Sequence, residues 1–156
     1  MAEATAREKA LQEAEQACAR RGAQLTPLRR QVLELVLDSD APVGAYALLD
    51  RLKASRPGAA PPTVYRALDF LLEHGLIHKV ERLNAYIGCS DTGHGHGHDH
   101  AHPHQFLICR RCGATAEIMD HAVAHAIAAA AARIGFVASE ATVEIEGLCA
   151  RCAAAG

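Results

Sequence analysis

Two short cysteine pairs in the second half of the chain have the spacing of a metal site. They are Cys109-Arg-Arg-Cys112 and Cys149-Ala-Arg-Cys152. A Cys-x-x-Cys segment bends so that both sulfurs face one point, and four thiolates complete the tetrahedral shell that Zn²⁺ prefers. The stretch between the pairs is longer than in a simple zinc ribbon, so the metal would join a helix and strands rather than one hairpin. This spacing predicts a structural zinc site.

Two other uses of paired cysteines agree less well with the sequence. Residues 1–10 contain acidic side chains and lack the apolar segment of a secretory signal, which predicts a soluble, cytoplasmic protein. Structural disulfides are rare in that compartment. A redox-active Cys-x-x-Cys usually occurs once, beside a βαβ pattern that this sequence does not show. Spacing and expected compartment together favour zinc.

A second set of possible metal ligands begins with one histidine and one cysteine. Residues 76–89 have β-branched residues on both sides of Leu83-Asn84, which predicts a β-hairpin. A turn centred on these two residues would place His78 directly opposite Cys89, with Cβ atoms about 4.5–5.5 Å apart. The pair could then share one metal ion. Otherwise, His78 is a surface residue of the hairpin and Cys89 a buried strand residue.

Tetrahedral Zn²⁺ would need two ligands beyond this pair. One histidine can come from the low-complexity segment of residues 91–104, in which histidine alternates with glycine and other small or polar residues and which predicts a linker and domain boundary. Glu117, on the strand predicted after the first cysteine pair, can supply a carboxylate. Such a His-Cys-His-Glu site would connect the two halves of the chain. The histidine segment could also bind metal loosely and regulate nothing.

Other possible ligands have simpler interpretations. Cys18 stands alone and is expected to be a small buried residue. His121 and His125 lie four residues apart on a predicted helix, but no cysteine or carboxylate obviously completes a site. An exposed helix face is therefore expected there.

The first half of the chain predicts a winged helix-turn-helix. Helices are expected over residues 2–21, from Pro27 to residues 38–40, over about 44–55 and over 63–74. Thr26 is the expected N-cap of the second helix, and Gly75 ends the fourth. Short helices followed by a hairpin have the order of a DNA-binding helix-turn-helix with a wing.

The fourth helix carries the expected base contacts. Tyr65 and Arg66 follow its predicted N-terminus and should face DNA, where Arg66 can bind guanine O6 and N7. Tyr65 can contact a thymine methyl group or a phosphate. Tyr46 either contacts DNA or packs at the domain surface. The candidates for phosphate contact are Arg29, Thr63 and Lys79.

The second half predicts a small α/β domain. Strands are expected over residues 105–109, 114–119 and within 136–147, with an alanine-rich helix from the Asp120 cap to about Arg133 and a featureless tail after Cys152. The fold class is therefore α+β. A winged-helix domain is expected over residues 1–88, a hinge over 89–104 and a smaller domain over 105–156.

Charge and hydropathy restrict the partners. The net charge is −2, so any nucleic-acid surface must be local. Residues 1–89 hold 12 Lys and Arg against 11 Asp and Glu, whereas the rest of the chain holds 4 against 7, which places that surface in the first half. No apolar run approaches the ~20 residues of a membrane span, so a membrane partner is not expected.

Four stretches resemble the ferric uptake regulator family, and within it the zinc uptake regulator branch. The resemblance covers roughly residues 8–152. It implies a homodimeric, metal-dependent transcriptional repressor with an N-terminal winged-helix domain and a C-terminal α/β dimerisation domain. The most specific stretches are Leu25-Thr-Pro-Leu-Arg29, Pro61-Pro-Thr-Val-Tyr-Arg-Ala-Leu-Asp-Phe-Leu-Leu-Glu-His-Gly75, Ile108-Cys-Arg-Arg-Cys-Gly113 and Gly147-Leu-Cys-Ala-Arg-Cys152.

The resemblance also implies two zinc ions per monomer. A regulatory zinc would be held by His78, Cys89, Glu117 and a linker histidine, with His102 favoured and His104 as the alternative. Some relatives have a further site on the dimerisation helix, but the corresponding stretch here is mainly alanine, so that site is not expected. A thiolate at position 89 favours zinc over iron. The ligands of the structural zinc would be Cys109, Cys112, Cys149 and Cys152.

The expected function is repression of zinc-uptake genes, through operator DNA, when zinc is sufficient. A relative that senses iron, nickel or peroxide is the alternative within the family. From another functional class, the chain could be a zinc-buffering protein whose histidine-rich linker is the active part, although the recognition-helix sequence would then be unexplained. An enzyme is not expected, because a catalytic zinc keeps one position open for water and both expected sites are filled by protein ligands. No small-molecule substrate other than zinc is expected.

Overall fold

The computed structural model describes residues 2–89 and 104–156. These residues form two compact units, one on each side of the gap. His102 lies outside the described residues, as does most of the predicted hinge. Within the part of the chain that is described, no helix is both long and apolar enough to cross a bilayer.

Four helices form most of the first unit: α1 (Ala2–Arg20), α2 (Pro27–Leu37), α3 (Ala45–Lys53) and α4 (Pro61–Glu73). α2 begins as predicted, with Thr26 Oγ1 accepting a hydrogen bond from the backbone N–H of Arg29 at 3.4 Å. α4 begins earlier than predicted, at Pro61 instead of Thr63. Proline suits the first turn of a helix, where its missing N–H would have no intrahelical acceptor.

The helices enclose an aliphatic core. Cys18 is 1% exposed within it, which confirms the prediction of a small buried residue. Arg30 also ties α1 to α2, because its guanidinium lies 3.0 Å from the carboxylates of both Glu8 and Glu15. α1 therefore packs against α2, and α2 and α3 pack against α4. The fully buried side chains include Leu11, Val32, Leu48, Leu52, Leu68 and Leu71.

A hairpin follows α4 and forms the wing. Gly75, at φ +67°, ends the helix in the left-handed region that glycine adopts without strain. β1 (Ile77–Val80) then pairs antiparallel with β2 (Ala85–Gly88). Val43, before α3, exchanges backbone hydrogen bonds of 2.9 and 2.8 Å with Tyr86 on β2, so the wing is attached to the helices.

The predicted register of the hairpin is wrong. His78 lies opposite Ile87 and not opposite Cys89. The connection is a short 3₁₀ turn over Glu81–Leu83, followed by Asn84 at φ +46° in the left-handed region. This turn uses residues that the prediction assigned to the first strand, which moves the centre of the hairpin towards the N-terminus.

The second unit is a three-stranded sheet with two helices. The central strand β3 pairs antiparallel with β4 and parallel with β5. Helix α5 makes the crossover between the parallel strands, and Asp120 caps it by accepting from the backbone N–H groups of Ala122 and Val123 at 2.8 and 3.3 Å. The bounds are β3 (His104–Cys109), β4 (Thr115–Ile118), α5 (His121–Arg133), β5 (Thr142–Gly147) and α6 (Ala150–Ala154).

The tail after Cys152, predicted to be featureless, begins within a short helix, because α6 continues to Ala154. Cys149 is the N-cap of α6, and Cys152 lies within this helix. The sequence of α6 is too short for helical periodicity to show. His121 and His125 are exposed on α5, as predicted. The fold class is α+β, with a winged helix-turn-helix followed by a small α/β domain, which confirms the predicted architecture.

Candidate metal centres and DNA-binding surface

The four cysteines predicted to hold structural zinc lie together in the second unit. Cys109 ends β3, Cys112 follows in the next turn, and Cys149 and Cys152 belong to the start of α6. All four sulfur atoms lie within 4.8 Å of one another, and those of Cys112 and Cys149 are 3.8 Å apart. Gly113, at φ +74°, turns the first knuckle back so that its N–H donates to Cys109 O at 2.9 Å. The arrangement is a compact four-sulfur donor set.

The electrostatics of these thiols favour a cation at their centre. Backbone N–H groups, first that of Cys149, lower the pKa of Cys109 to about 5. The backbone N–H of Ala114 likewise lowers the pKa of Cys112. By contrast, hydrogen bonding with Cys149, burial and the negative charge of Cys109 raise the pKa of Cys152 to about 12. A divalent cation among the four sulfur atoms would favour the ionised form of Cys152. Four thiolates are also the soft, tetrahedral ligand set that Zn²⁺ prefers.

The wing holds two of the predicted regulatory ligands. His78 is 8% exposed on β1, and Cys89 directly follows β2. Because Cys89 lies two residues beyond Ile87, the partner of His78, both side chains are on one face of the hairpin. Their ligand atoms lie within 4.8 Å of each other. The backbone N–H of Cys89 donates to Leu76 O at 3.2 Å, which holds the cysteine beyond the end of the strand.

The second unit holds two further predicted ligands. His104, the alternative to His102, begins β3, and its Nδ1 lies 3.6 Å from Oε1 of Glu117 on β4. The side chain of Glu117 is 6% exposed. Because Phe106 pairs with Glu117, His104 lies two residues away on the same face of the sheet. Each unit thus brings together two side chains that suit a His-Cys-His-Glu set.

The predicted base-reading side chains are exposed on the helix-turn-helix. Arg66 is exposed on α4, and Tyr65 beside it is 40% exposed. Tyr46, near the start of α3, is 66% exposed. These three side chains are accessible to base edges and phosphates.

The predicted phosphate contacts have partners within the first unit. Lys79 Nζ lies 3.2 Å from Glu81 Oε2, and this hydrogen bond raises the pKa of Lys79. Thr63 Oγ1 accepts the backbone N–H of the N-cap residue at 3.3 Å and keeps its own proton to donate. The guanidinium carbon of Arg29 lies 3.7 Å from the centre of the Phe70 ring. All three side chains are therefore held in defined positions.

Two residues that shape these sites were not identified from the sequence. The ring of Phe70 contacts the guanidinium of Arg29. Its position four residues after Arg66 could have indicated that both side chains share one face of the helix. Gly88 precedes Cys89, and a Cβ at this position would lie 2.5 Å from Leu37 Cδ2. No sequence pattern indicates that close approach, because Leu37 and Gly88 are far apart in the sequence.

Comparison with known proteins agrees with this arrangement. The sequence profile of the ferric uptake regulator family matches residues 20–146. The zinc uptake regulation protein of Escherichia coli K12 is 44% identical over 150 residues, which cover 96% of this chain and 85% of that protein. A zinc uptake regulator solved in complex with zinc and DNA superimposes with a TM-score of 0.87 at 42% identity, covering 96% of both chains. The crystal structure of holo XcZur superimposes with a TM-score of 0.80 at 44% identity over 92% of this chain and 96% of that one. By profile, identity and fold, this chain belongs to the ferric uptake regulator family.

Proposed function

We propose that this protein is a zinc-responsive, homodimeric transcriptional repressor that binds the operator DNA of zinc-uptake genes when zinc is bound. The Escherichia coli relative is a zinc uptake regulation protein, and another relative was solved with zinc and DNA. The observation that carries the proposal is the pair of His78 and Cys89 on one face of the wing. An imidazole and a thiolate attached to the DNA-binding unit give that unit a means to sense zinc.

The structural zinc binds four cysteines, Cys109, Cys112, Cys149 and Cys152. Their close grouping supports this assignment, as do the backbone N–H groups that lower the pKa values of Cys109 and Cys112. The metal connects the end of β3 to the start of α6, two segments far apart in sequence. Its binding free energy therefore contributes to the folding of the second unit.

The regulatory zinc binds His78, Cys89, Glu117 and His102, with His104 as the alternative fourth ligand. The pairing of ligands within each unit supports this set. Two zinc ions per monomer follow. We place the winged-helix domain at residues 1–88, the hinge at 89–104 and the dimerisation domain at 105–156. A metal ion with ligands before and after the hinge restricts the motion of the hinge.

Zinc favours DNA binding because it fixes the spacing of two recognition helices in the dimer. Both α4 helices can then enter successive major grooves of one duplex. Arg66 and Tyr65 read bases, Tyr46 assists them, and Arg29, Thr63 and Lys79 contact phosphates. Because the coupling is reciprocal, operator DNA raises the affinity for regulatory zinc by the same factor.

The second unit provides the dimer contact. Leu107 and Ile145, on the neighbouring strands β3 and β5, are 40% and 49% exposed, and Phe136 is 63% exposed. None of the residues of α5 is buried, although most of them are alanine. A second copy of the chain would cover this apolar surface. We propose two partners, operator DNA and a second copy of this chain. We place the protein in the cytoplasm and expect no enzymatic activity.

The proposal is tested by measuring zinc and DNA binding in the same preparations. Purified protein should contain two zinc ions per monomer, of which mild chelation removes one. Zinc-dependent binding to DNA from zinc-uptake promoters should be lost with that ion and return when it is restored. DNA binding that is independent of the removable zinc would contradict the proposal.

A further inference from the structure

The DNA-facing stripe of α4 continues from Arg66 to an aromatic ring. Phe70 lies four residues after Arg66, and residues with this spacing are neighbours on one face of a helix. Arg66 is exposed, whereas Phe70 is partly buried against the core of the first unit. One face of the ring therefore packs against the core, and the other face can contact a further side chain.

The group above the ring is the guanidinium of Arg29. Its central carbon lies 3.7 Å from the ring centre, the geometry of a cation–π contact. One of its nitrogens, Nη1, donates to Gln24 O at 2.7 Å. The backbone of Arg29 is fixed as well, because its N–H donates to the cap oxygen of Thr26 at 3.4 Å. The ring and one carbonyl thus hold the guanidinium and leave further N–H donors for a ligand.

The next arginine has the opposite surroundings. Arg30 forms ion pairs with three carboxylates, those of Glu8, Glu15 and Glu34. Among the described residues, no carboxylate forms an ion pair with Arg29. Of two adjacent arginines, one is neutralised within the unit and the other keeps its charge for an anionic partner.

The surroundings of the ring keep it in place. The His74 ring packs on Phe70 with centroids 4.1 Å apart and planes tilted by 55°. Arg21 Nη1 donates to His74 O at 3.4 Å and adds a second positive charge at this end of α4. Phe70 is therefore restrained by the core and by His74 while it supports Arg29.

We propose that Phe70 is a positioning residue, whose ring holds the guanidinium of Arg29 on the Arg66 side of α4 for contact with a phosphate of the operator duplex. This inference rests on the proposed DNA-binding function. It separates two roles: Arg29 supplies the charge, and Phe70 supplies the position without touching DNA.

The test is a double-mutant cycle on zinc-loaded dimer, measured as operator affinity over a range of salt concentrations. Arg29→Ala should reduce the slope of log affinity against log salt by about 1.8 per dimer, or about 0.9 for each of two lost phosphate contacts. Phe70→Leu should weaken binding by the dimer about four- to 25-fold, or about two- to fivefold for each of two lost exposed cation–π contacts. Phe70→Tyr keeps the ring and should restore binding.

The decisive result is the double variant. Arg29→Ala with Phe70→Leu should bind no more weakly than Arg29→Ala alone, because the ring acts only through Arg29. Arg30→Gln is the matched control and should leave the salt slope unchanged. Equal weakening by Phe70→Leu with and without Arg29, or an unchanged slope for Arg29→Ala, would overturn the inference while leaving the proposed repressor function intact. Failure of the unaltered protein to bind operator DNA with zinc would overturn both.

Discussion

Gly88 is a position where one added methyl group should affect both stability and zinc binding. It ends β2 and directly precedes Cys89. A Cβ at this position would lie 2.5 Å from Leu37 Cδ2 and 3.8 Å from Leu37 Cγ. Optimal carbon contacts are about 3.5–4.0 Å, so either the Leu37 side chain or the strand must move in Gly88→Ala.

The loss of unfolding free energy in Gly88→Ala depends on whether the Leu37 side chain or the strand moves. Turning the Leu37 side chain away from its rotamer costs about 0.5–1.5 kcal/mol. Extra volume in a packed region generally costs about 1–3 kcal/mol, which is the range expected for the loss of unfolding free energy. A shift of the strand would change the position of Cys89 relative to His78. If about 1.4 kcal/mol is needed to return Cys89 to the position that the proposed regulatory zinc requires, zinc affinity falls about tenfold.

The assay combines denaturant unfolding with zinc competition against a chelator. Gly58→Ala is the matched control, because no atom lies within 4 Å of a Cβ at that position. Surface changes of this kind usually stay within about 0.5 kcal/mol. Adding Leu37→Ala to Gly88→Ala removes the opposing methyl group and should restore part of the lost zinc affinity. Identical behaviour of Gly88→Ala and Gly58→Ala in both measurements would refute the reasoning.

Three other substitutions separate the metal sites from DNA recognition. Cys89→Ser should abolish zinc-dependent operator binding while leaving a folded dimer, and an unchanged zinc response in a gel-shift titration would exclude Cys89 from the regulatory site. Cys109→Ser should unfold or monomerise the protein, because the proposed structural zinc would contribute folding free energy; a stable dimer in sedimentation would argue against that role. Arg66→Ala should lose about 1–3 kcal/mol of operator discrimination without a change in zinc stoichiometry. Retained preference for the operator over unrelated DNA would remove Arg66 as a base reader.

The hairpin was only partly predictable from local sequence patterns. The β-branched residues identified both strands, but nothing in the pattern revealed the 3₁₀ turn or the left-handed Asn84, so the register was wrong. The real register differs from the predicted one by an even number of residues. Since side chains alternate with a period of two, His78 and Cys89 still share a face. The proximity of His78 and Cys89 was therefore predictable, although the register of the two strands was not.

The sequence by itself determined five of the six helices in the described residues, the cysteine knuckles and the family, because caps, periodicity and Cys-x-x-Cys spacing are local properties of the chain. The sequence named Arg29 as a candidate phosphate contact, but only tertiary structure showed how its surroundings differ from those of Arg30, which is chemically identical and adjacent. Arg30 meets carboxylates from α1, whereas Arg29 meets a ring of α4. Charge neutralisation and stacking depend on residues that folding brings near, and sequence spacing carries no information about those neighbours.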